Sequence, residues 1–88
     1  MHSEILTTPD APFTIERRTT DEQTFRHRDT ITFIVATTER QTLQRTLDSI
    51  ELRAGDELLL VKPKVPSGLW GHPERNFAMP YARCAWLA

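Results

Sequence analysis

The sequence has little of several features that would point directly to a class of protein. It contains a single cysteine, Cys84, so an internal disulfide is impossible and we expect a reducing compartment. No apolar run approaches the roughly 20 residues of a membrane-spanning helix, and residues 1–10 lack the basic-then-apolar order of a signal peptide. The formal net charge of −1 leaves no basic excess for binding nucleic acid. These absences predict a soluble cytoplasmic protein without a transmembrane segment or a nucleic-acid partner.

Familiar metal and nucleotide motifs are also missing. The three histidines, His2, His27 and His72, are not spaced with one another, with Cys84 or with a carboxylate as a metal site requires. With only three glycines, the chain has no glycine-rich phosphate loop. No histidine or helix N-terminus near Cys84 is evident to activate the thiol, so we expect it to be buried and unreactive.

Residues 1–29 are polar, and their pattern leaves several structures open. Apolar and polar residues alternate at positions 13–16, which predicts a short strand there. The segment is a leader, an edge strand or a disordered extension, and the sequence does not choose among them. We treat it as an N-terminal extension that precedes a domain at residues 30–88.

From residue 30 onward the pattern is typical of an α/β protein. Residues 31–37 are apolar and rich in β-branched side chains, as in a strand that is covered on both faces. Thr38 and Gln41 have the spacing of a helix-capping box. Apolar side chains then recur on one helical face, at Leu43, Leu47 and Ile50. We expect this helix to end near residues 52–54.

A second apolar run at residues 57–61 follows Gly55, a residue free to adopt the left-handed conformation of a turn. Strand, helix and strand in this order predict a βαβ unit with two parallel strands. Residues 62–73 are rich in proline and glycine and predict a loop. A second helix is expected over residues 74–85, kinked at Pro80, and residues 86–88 predict the start of another buried strand.

Ligands of open parallel sheets bind outside the carboxyl ends of the strands, which here selects residues 37–40, 62–64 and 72–76. Arg75 would lie in the first turn of the second helix, where a positive charge opposes the helix dipole. A bound anion such as a nucleotide phosphate would explain an arginine there. The alternative is a solvated surface arginine with no specific role.

The order of these segments resembles the opening of family 2 glycosyltransferases. Residues 31–40 resemble the first strand and turn of that family, and residues 56–61 resemble its second strand. Residues 71–82 are similar to its Gly-x-x-x-Arg-Asn helix, with Arg75 and Asn76 at the Arg-Asn positions. Residues 86–88 lie where the next strand of the family leads into an Asp-x-Asp motif.

The resemblance implies a truncated GT-A fold, of the nucleotide-diphospho-sugar transferase type, with a short parallel sheet and part of the donor site. The implied partner is a nucleotide sugar, usually a UDP-sugar. Contacts to the nucleotide would come from the first turn at Thr37, Glu39 and Arg40, and from the helix at Arg75 and Asn76. In that family an Asp-x-Asp motif holds Mn²⁺ or Mg²⁺, and an acidic base acts further along the chain.

The sequence departs from the family pattern at several positions. Ala36 replaces a proline of the first turn, and Lys62 follows the second strand where the family has an aspartate. No Asp-x-Asp occurs in the 88 residues. We therefore assign no catalytic residue, expect this chain alone to hold no cation, and expect no transfer activity from it.

Two other readings of the residues stay open. In one, the chain is a small cupin-like β-barrel that binds a ligand or a protein without catalysis, and residues 39–52 are extended rather than helical. In the other, the chain is a small αβ protein with no enzymatic role. If the domain is partial, the strand at Trp86 leaves an open sheet edge, and we expect self-association through it.

Overall fold

The computed structural model of the chain describes residues 2–20, 29–36, 40–63 and 72–88. The elements in chain order are β1 (His2–Ile5), β2 (Phe13–Thr19), β3 (Ile31–Ala36), α1 (Arg40–Ser49), β4 (Glu57–Pro63), α2 (His72–Ala78), a 3₁₀ turn (Met79–Tyr81) and β5 (Trp86–Leu87). Within these ranges no helix has the length and apolar character needed to span a membrane.

The strands form one mixed sheet of five strands in the order β1-β2-β4-β3-β5. Strand β3 lies parallel to β4 on one side and parallel to β5 on the other. Strands β1 and β2 extend the sheet beyond β4 in antiparallel orientation. The predicted α/β fold and its strand–helix–parallel strand unit are confirmed, whereas the sheet is mixed and not purely parallel.

Apolar side chains cover both faces of this sheet. On the α2 face the buried cluster comprises Ile15, Ile34, Leu59, Val61 and Ala78. On the α1 face Val35, Leu58 and Leu60 are buried, and Leu47 and Ile50 pack against them. Successive residues of a strand point to opposite faces, so the continuous apolar run of β4 supplies both clusters. Leu47 therefore lies on the predicted inner face of α1, and Ile50 packs on the same cluster just after the helix ends.

The N-terminal residues contribute two strands to the sheet. Strand β2 pairs with β4 along its full length, from Phe13 opposite Pro63 to Thr19 opposite Glu57. Its inward residue Ile15 is fully buried. Strand β1 lies outside β2 and is exposed along its length. The hairpin thus covers one edge of β4, while residues 21–28 lie outside the described part of the chain.

The region after the predicted loop differs from expectation in two ways. The α-helix spans His72–Ala78 and not the predicted 74–85, because Pro80 has no amide hydrogen for an α-helical bond. A 3₁₀ turn follows at Met79–Tyr81, and residues 82–85 are not helical. Strand β5 is not buried: the exposed fractions of Trp86 and Leu87 are 60% and 45%. The prediction of a buried strand is wrong because β5 is the outermost strand of the sheet.

The first helix and its following turn agree more closely with the sequence. Helix α1 spans Arg40–Ser49, so these residues are helical as the α/β interpretation requires and not extended as a barrel would need. The helix ends at Ser49, before the predicted residues 52–54. Gly55 has φ of 92°, the left-handed conformation predicted for it. The capping residue Thr38 lies outside the described residues.

Candidate functional site

The strand order creates a crevice at one end of the sheet. From β3 the chain passes through α1 to β4 on one side, and then through α2 to β5 on the other side of β3. The two helices pack on opposite faces of the sheet. A reversal of this kind separates the loops at the carboxyl ends of neighbouring strands, and ligands of open α/β sheets bind in the space between them. The region beyond Ala36 is therefore the candidate site.

Arg75 is the predicted site residue that the structure places most clearly. Its Nη1 donates a hydrogen bond of 3.3 Å to the backbone oxygen of Ile34, in the second half of β3. The side chain is half-buried, and its other N–H groups have no hydrogen-bond partner among the described residues. The guanidinium group therefore lies beside β3 near its carboxyl end, with donors that no described residue accepts.

Aromatic packing fixes the position of the helix that carries Arg75. The ring of Phe77 lies 5.0 Å from that of Phe13 on β2 and 6.4 Å from that of Tyr81, measured between centroids. Ala78 is completely buried against the sheet. Contacts of this type stabilise by about 0.5–1.5 kcal/mol beyond the burial of area, so α2 is held to β2 as well as to β3.

The structure corrects the helix-dipole reasoning for Arg75. Helix α2 spans only His72–Ala78, and Arg75 is its central residue, within its last turn. A positive charge near the C-terminus of a helix is favourable. The dipole therefore gives no reason to expect an anion, and the case for a site depends on the exposed donors and on their place beside β3.

The other predicted contacts are placed only in part. Asn76 follows Arg75 on α2 and is exposed. Arg40 is the first residue of α1, and its side chain lies outside the described part of the structure. Thr37 and Glu39 also lie outside the described residues. The structure thus brings Arg75 to the end of β3 with Asn76 beside it along the chain.

The described side chains do not fit the divalent cation that the resemblance implies. Lys62 near the end of β4 and Arg75 beside β3 both carry positive charge, and the side chain of Glu74 lies outside the described part of the structure. Mg²⁺ and related cations are bound through carboxylate oxygens. Within the described ranges no group of three or more histidine, cysteine, aspartate or glutamate side chains could hold a metal. No chemical step is assigned to a metal here.

A buried polar cluster lies at the opposite end of the parallel strands, around Glu57. The Oε1 atom of Glu57 accepts hydrogen bonds from the Thr32 hydroxyl at 3.2 Å and from the Arg83 backbone amide at 3.1 Å. Its Oε2 atom lies 3.3 Å from Nε of Arg83 and 3.4 Å from Nε of Arg17. Glu57 is only 2% exposed, so its charge is balanced within the fold.

The local sequence pattern does not predict the burial of Asp56 and Glu57, which are 1% and 2% exposed. One signal was present: residues 13, 15, 17 and 19 share a face of β2, because alternate strand residues point the same way. Phe13 and Ile15 on that face pack in the core. An arginine next on the same face, Arg17, therefore needed a buried partner.

The second buried carboxylate, Asp56, holds a turn together. Its Oδ1 accepts from the Ile31 amide at 2.9 Å, and its Oδ2 accepts from the amide and Nε of Arg53, both at 3.0 Å. Burial of the carboxyl group alone would raise its pKa, but these hydrogen bonds and the Arg53 charge together lower the pKa below its usual value. Asp56 thus joins the start of β3 to the turn before β4.

Comparison with known proteins adds no assignment. No protein-family model, curated protein or solved structure matches the chain. The resemblance to family 2 glycosyltransferases therefore stays a prediction, and the candidate site is defined by the geometry around β3 and α2.

Proposed function

We propose that this chain supplies part of the nucleotide-sugar donor site of a family 2-like glycosyltransferase, with a UDP-sugar as the donor. The observation that carries the proposal is the position of Arg75. Its guanidinium group lies beside the second half of β3, at the end of the sheet where the strand order reverses. It retains donors that the described residues do not use.

The chemistry of a nucleotide diphosphate suits these donors. A guanidinium group presents a planar fork of N–H groups that binds two phosphate oxygens at once. Asn76 is exposed beside Arg75 and adds amide donors and an acceptor. The other predicted contacts, Thr37, Glu39 and Arg40, follow β3 directly along the chain.

The proposed role is binding of the donor and not transfer of the sugar. The chain has no Asp-x-Asp sequence, and the described residues contain no group of three or more histidine, cysteine, aspartate or glutamate side chains that could hold a cation. A guanidinium group that donates to diphosphate oxygens contributes to affinity without a metal, since charge-assisted hydrogen bonds are about twice as strong as neutral ones. We therefore propose UDP binding as the measurable property.

A titration of the ¹⁵N-labelled chain with UDP, with and without Mg²⁺, tests the proposal. We expect saturating shifts of the amides of residues 34–36 and 75–78. Arg75→Gln should weaken UDP binding at least about tenfold, because it removes a charged, bidentate donor. Arg45→Gln is the matched control, since Arg45 is an exposed arginine on α1. It makes the same change of charge and should leave binding unchanged.

Two results would reject the proposal. One is the absence of saturating shifts in a chain whose spectrum is that of a folded protein. The other is equal affinity of the Arg75→Gln variant and the unchanged chain. Either would favour a small αβ protein without an enzymatic role.

A further inference from the structure

A second groove lies near the opposite end of the parallel strands from the proposed donor site. It is formed between the β1–β2 hairpin and the segment that leads into β5, with a volume of about 330 Å³. Its lining residues are His2, Ser3, Glu4, Arg17, Thr19 and Arg83. Pockets for small molecules start at about 300 Å³. Strand β4, about 20 Å long at the usual rise per residue, separates the two ends.

Arg83 is held so that the end of its side chain is available in this groove. Its backbone amide and its Nε both donate to the carboxylate of Glu57, at 3.1 and 3.3 Å. The side chain is nevertheless 60% exposed, and its terminal nitrogens donate to no described residue. Because Nε of Arg83 is already bonded, the side chain loses less conformational entropy when a ligand binds its terminal nitrogens. The four remaining N–H groups form a fork that matches two oxygens of an anion.

The neighbouring arginine is already committed to the protein. Arg17 is paired with Glu57 through Nε, and it donates to Glu4 at 3.1 Å and to the Tyr81 carbonyl at 2.7 Å. Its side chain is only 10% exposed. Arg17 therefore supports the buried carboxylate that orients Arg83, and Arg83 supplies the donors for a ligand.

Charge and polarity limit what the groove can bind. The two arginines are balanced by Glu4 and Glu57, so the attraction for an anion comes from directed N–H groups and not from an excess of positive charge. Thr19, which lies on the same face of β2 as Arg17, lines the same space, and its hydroxyl group can donate to a second oxygen. We propose that this groove binds a small oxyanion, a carboxylate or a phosphate, through the terminal N–H groups of Arg83.

The test is a titration of the ¹⁵N-labelled full chain in two arms, sodium phosphate and sodium acetate. A sodium chloride titration at matched ionic strength separates binding from general salt effects. We expect saturating shifts of the Arg83 Nε–H and of the amides of Thr19 and Cys84 in at least one arm. Saturation with phosphate alone identifies a phosphate site, and saturation with acetate alone identifies a carboxylate site. Saturation with both identifies a general oxyanion site.

Variants at Arg83 provide the decisive comparison. Arg83→Gln should weaken binding at least about tenfold, whereas Arg45→Gln should leave it unchanged. Arg83→Lys retains the charge without the fork and should give an intermediate affinity; it serves as the test if the glutamine variant does not fold. Shifts that match those in chloride would overturn the proposal. An unchanged affinity for phosphate and acetate in a folded Arg83 variant would also overturn the proposal. Neither result depends on the UDP titration.

Discussion

Replacement of Glu57 by glutamine removes a buried negative charge while preserving the volume of the side chain. The carboxylate is 2% exposed and faces the Nε atoms of Arg17 and Arg83 at 3.4 and 3.3 Å. Glutamine can still accept a hydrogen bond from Thr32, but its amide group has no negative charge for the arginines. The variant therefore leaves the buried guanidinium of Arg17 without its main compensation.

The structure sets the expected loss of stability. Loss of one member of a buried ion pair costs about 3–5 kcal/mol. Exposed pairs contribute about 0–1 kcal/mol, so the pair with Arg83, whose side chain is 60% exposed, adds little. Arg17 keeps its hydrogen bonds to Glu4 and to the Tyr81 carbonyl, so the cost should lie at the lower end of the roughly 3–5 kcal/mol range. We expect a loss of about 3 kcal/mol, or roughly 12–24 °C in Tm for a domain of this size.

Urea unfolding followed by far-ultraviolet circular dichroism measures this change. The matched control is Glu16→Gln, which breaks the more exposed pair with Arg18 on the same strand as Arg17 and should cost less than about 1 kcal/mol. The double variant Arg17→Met, Glu57→Leu removes both charges and should be more stable than Glu57→Gln. Equal losses in Glu57→Gln and Glu16→Gln would refute the reasoning.

Three further predictions follow from the described contacts. Asp56→Asn should destabilise the fold at pH 7. The pKa of Asp56 is lowered from its usual 3.8 in the folded state. Its contribution to the free energy of unfolding is therefore complete above pH 3.8 and is lost as the pH falls through the pKa of the folded state. Urea unfolding should show that the stability difference between the variant and the wild-type chain shrinks in acid. Gly55→Ala should cost about 1 kcal/mol in the same assay, since φ is 92° there. The exposed edge of β5 should promote self-association of the chain. Sedimentation velocity should show less self-association for Leu87→Lys than for the wild-type chain. A wild-type chain that stays monomeric at high concentration would contradict this prediction.

The candidate site was predictable from sequence only to the level of its location. The rule that ligands bind at the carboxyl ends of parallel strands selected the segment containing Arg75, and the structure places its guanidinium group beside β3. The extent of α2 was predicted wrongly, and with it the relation of Arg75 to the helix dipole. The length of α2 depends on two opposing features: Phe77 packs the helix against the sheet, and Pro80 interrupts it. The local sequence pattern does not show which residue the helix ends at.

Local pattern determined the elements of the α/β unit, because hydrophobic periodicity and β-branched runs act over a few neighbouring residues. The apolar run of β4, the inner face of α1 and the turn at Gly55 all follow from such short-range preferences. Tertiary structure alone decided that β2 lies against β4, and that Arg17 and Arg83 meet at Glu57. Those partners are distant in the chain, and their pairing is fixed only when the whole sheet assembles and buries the carboxylate.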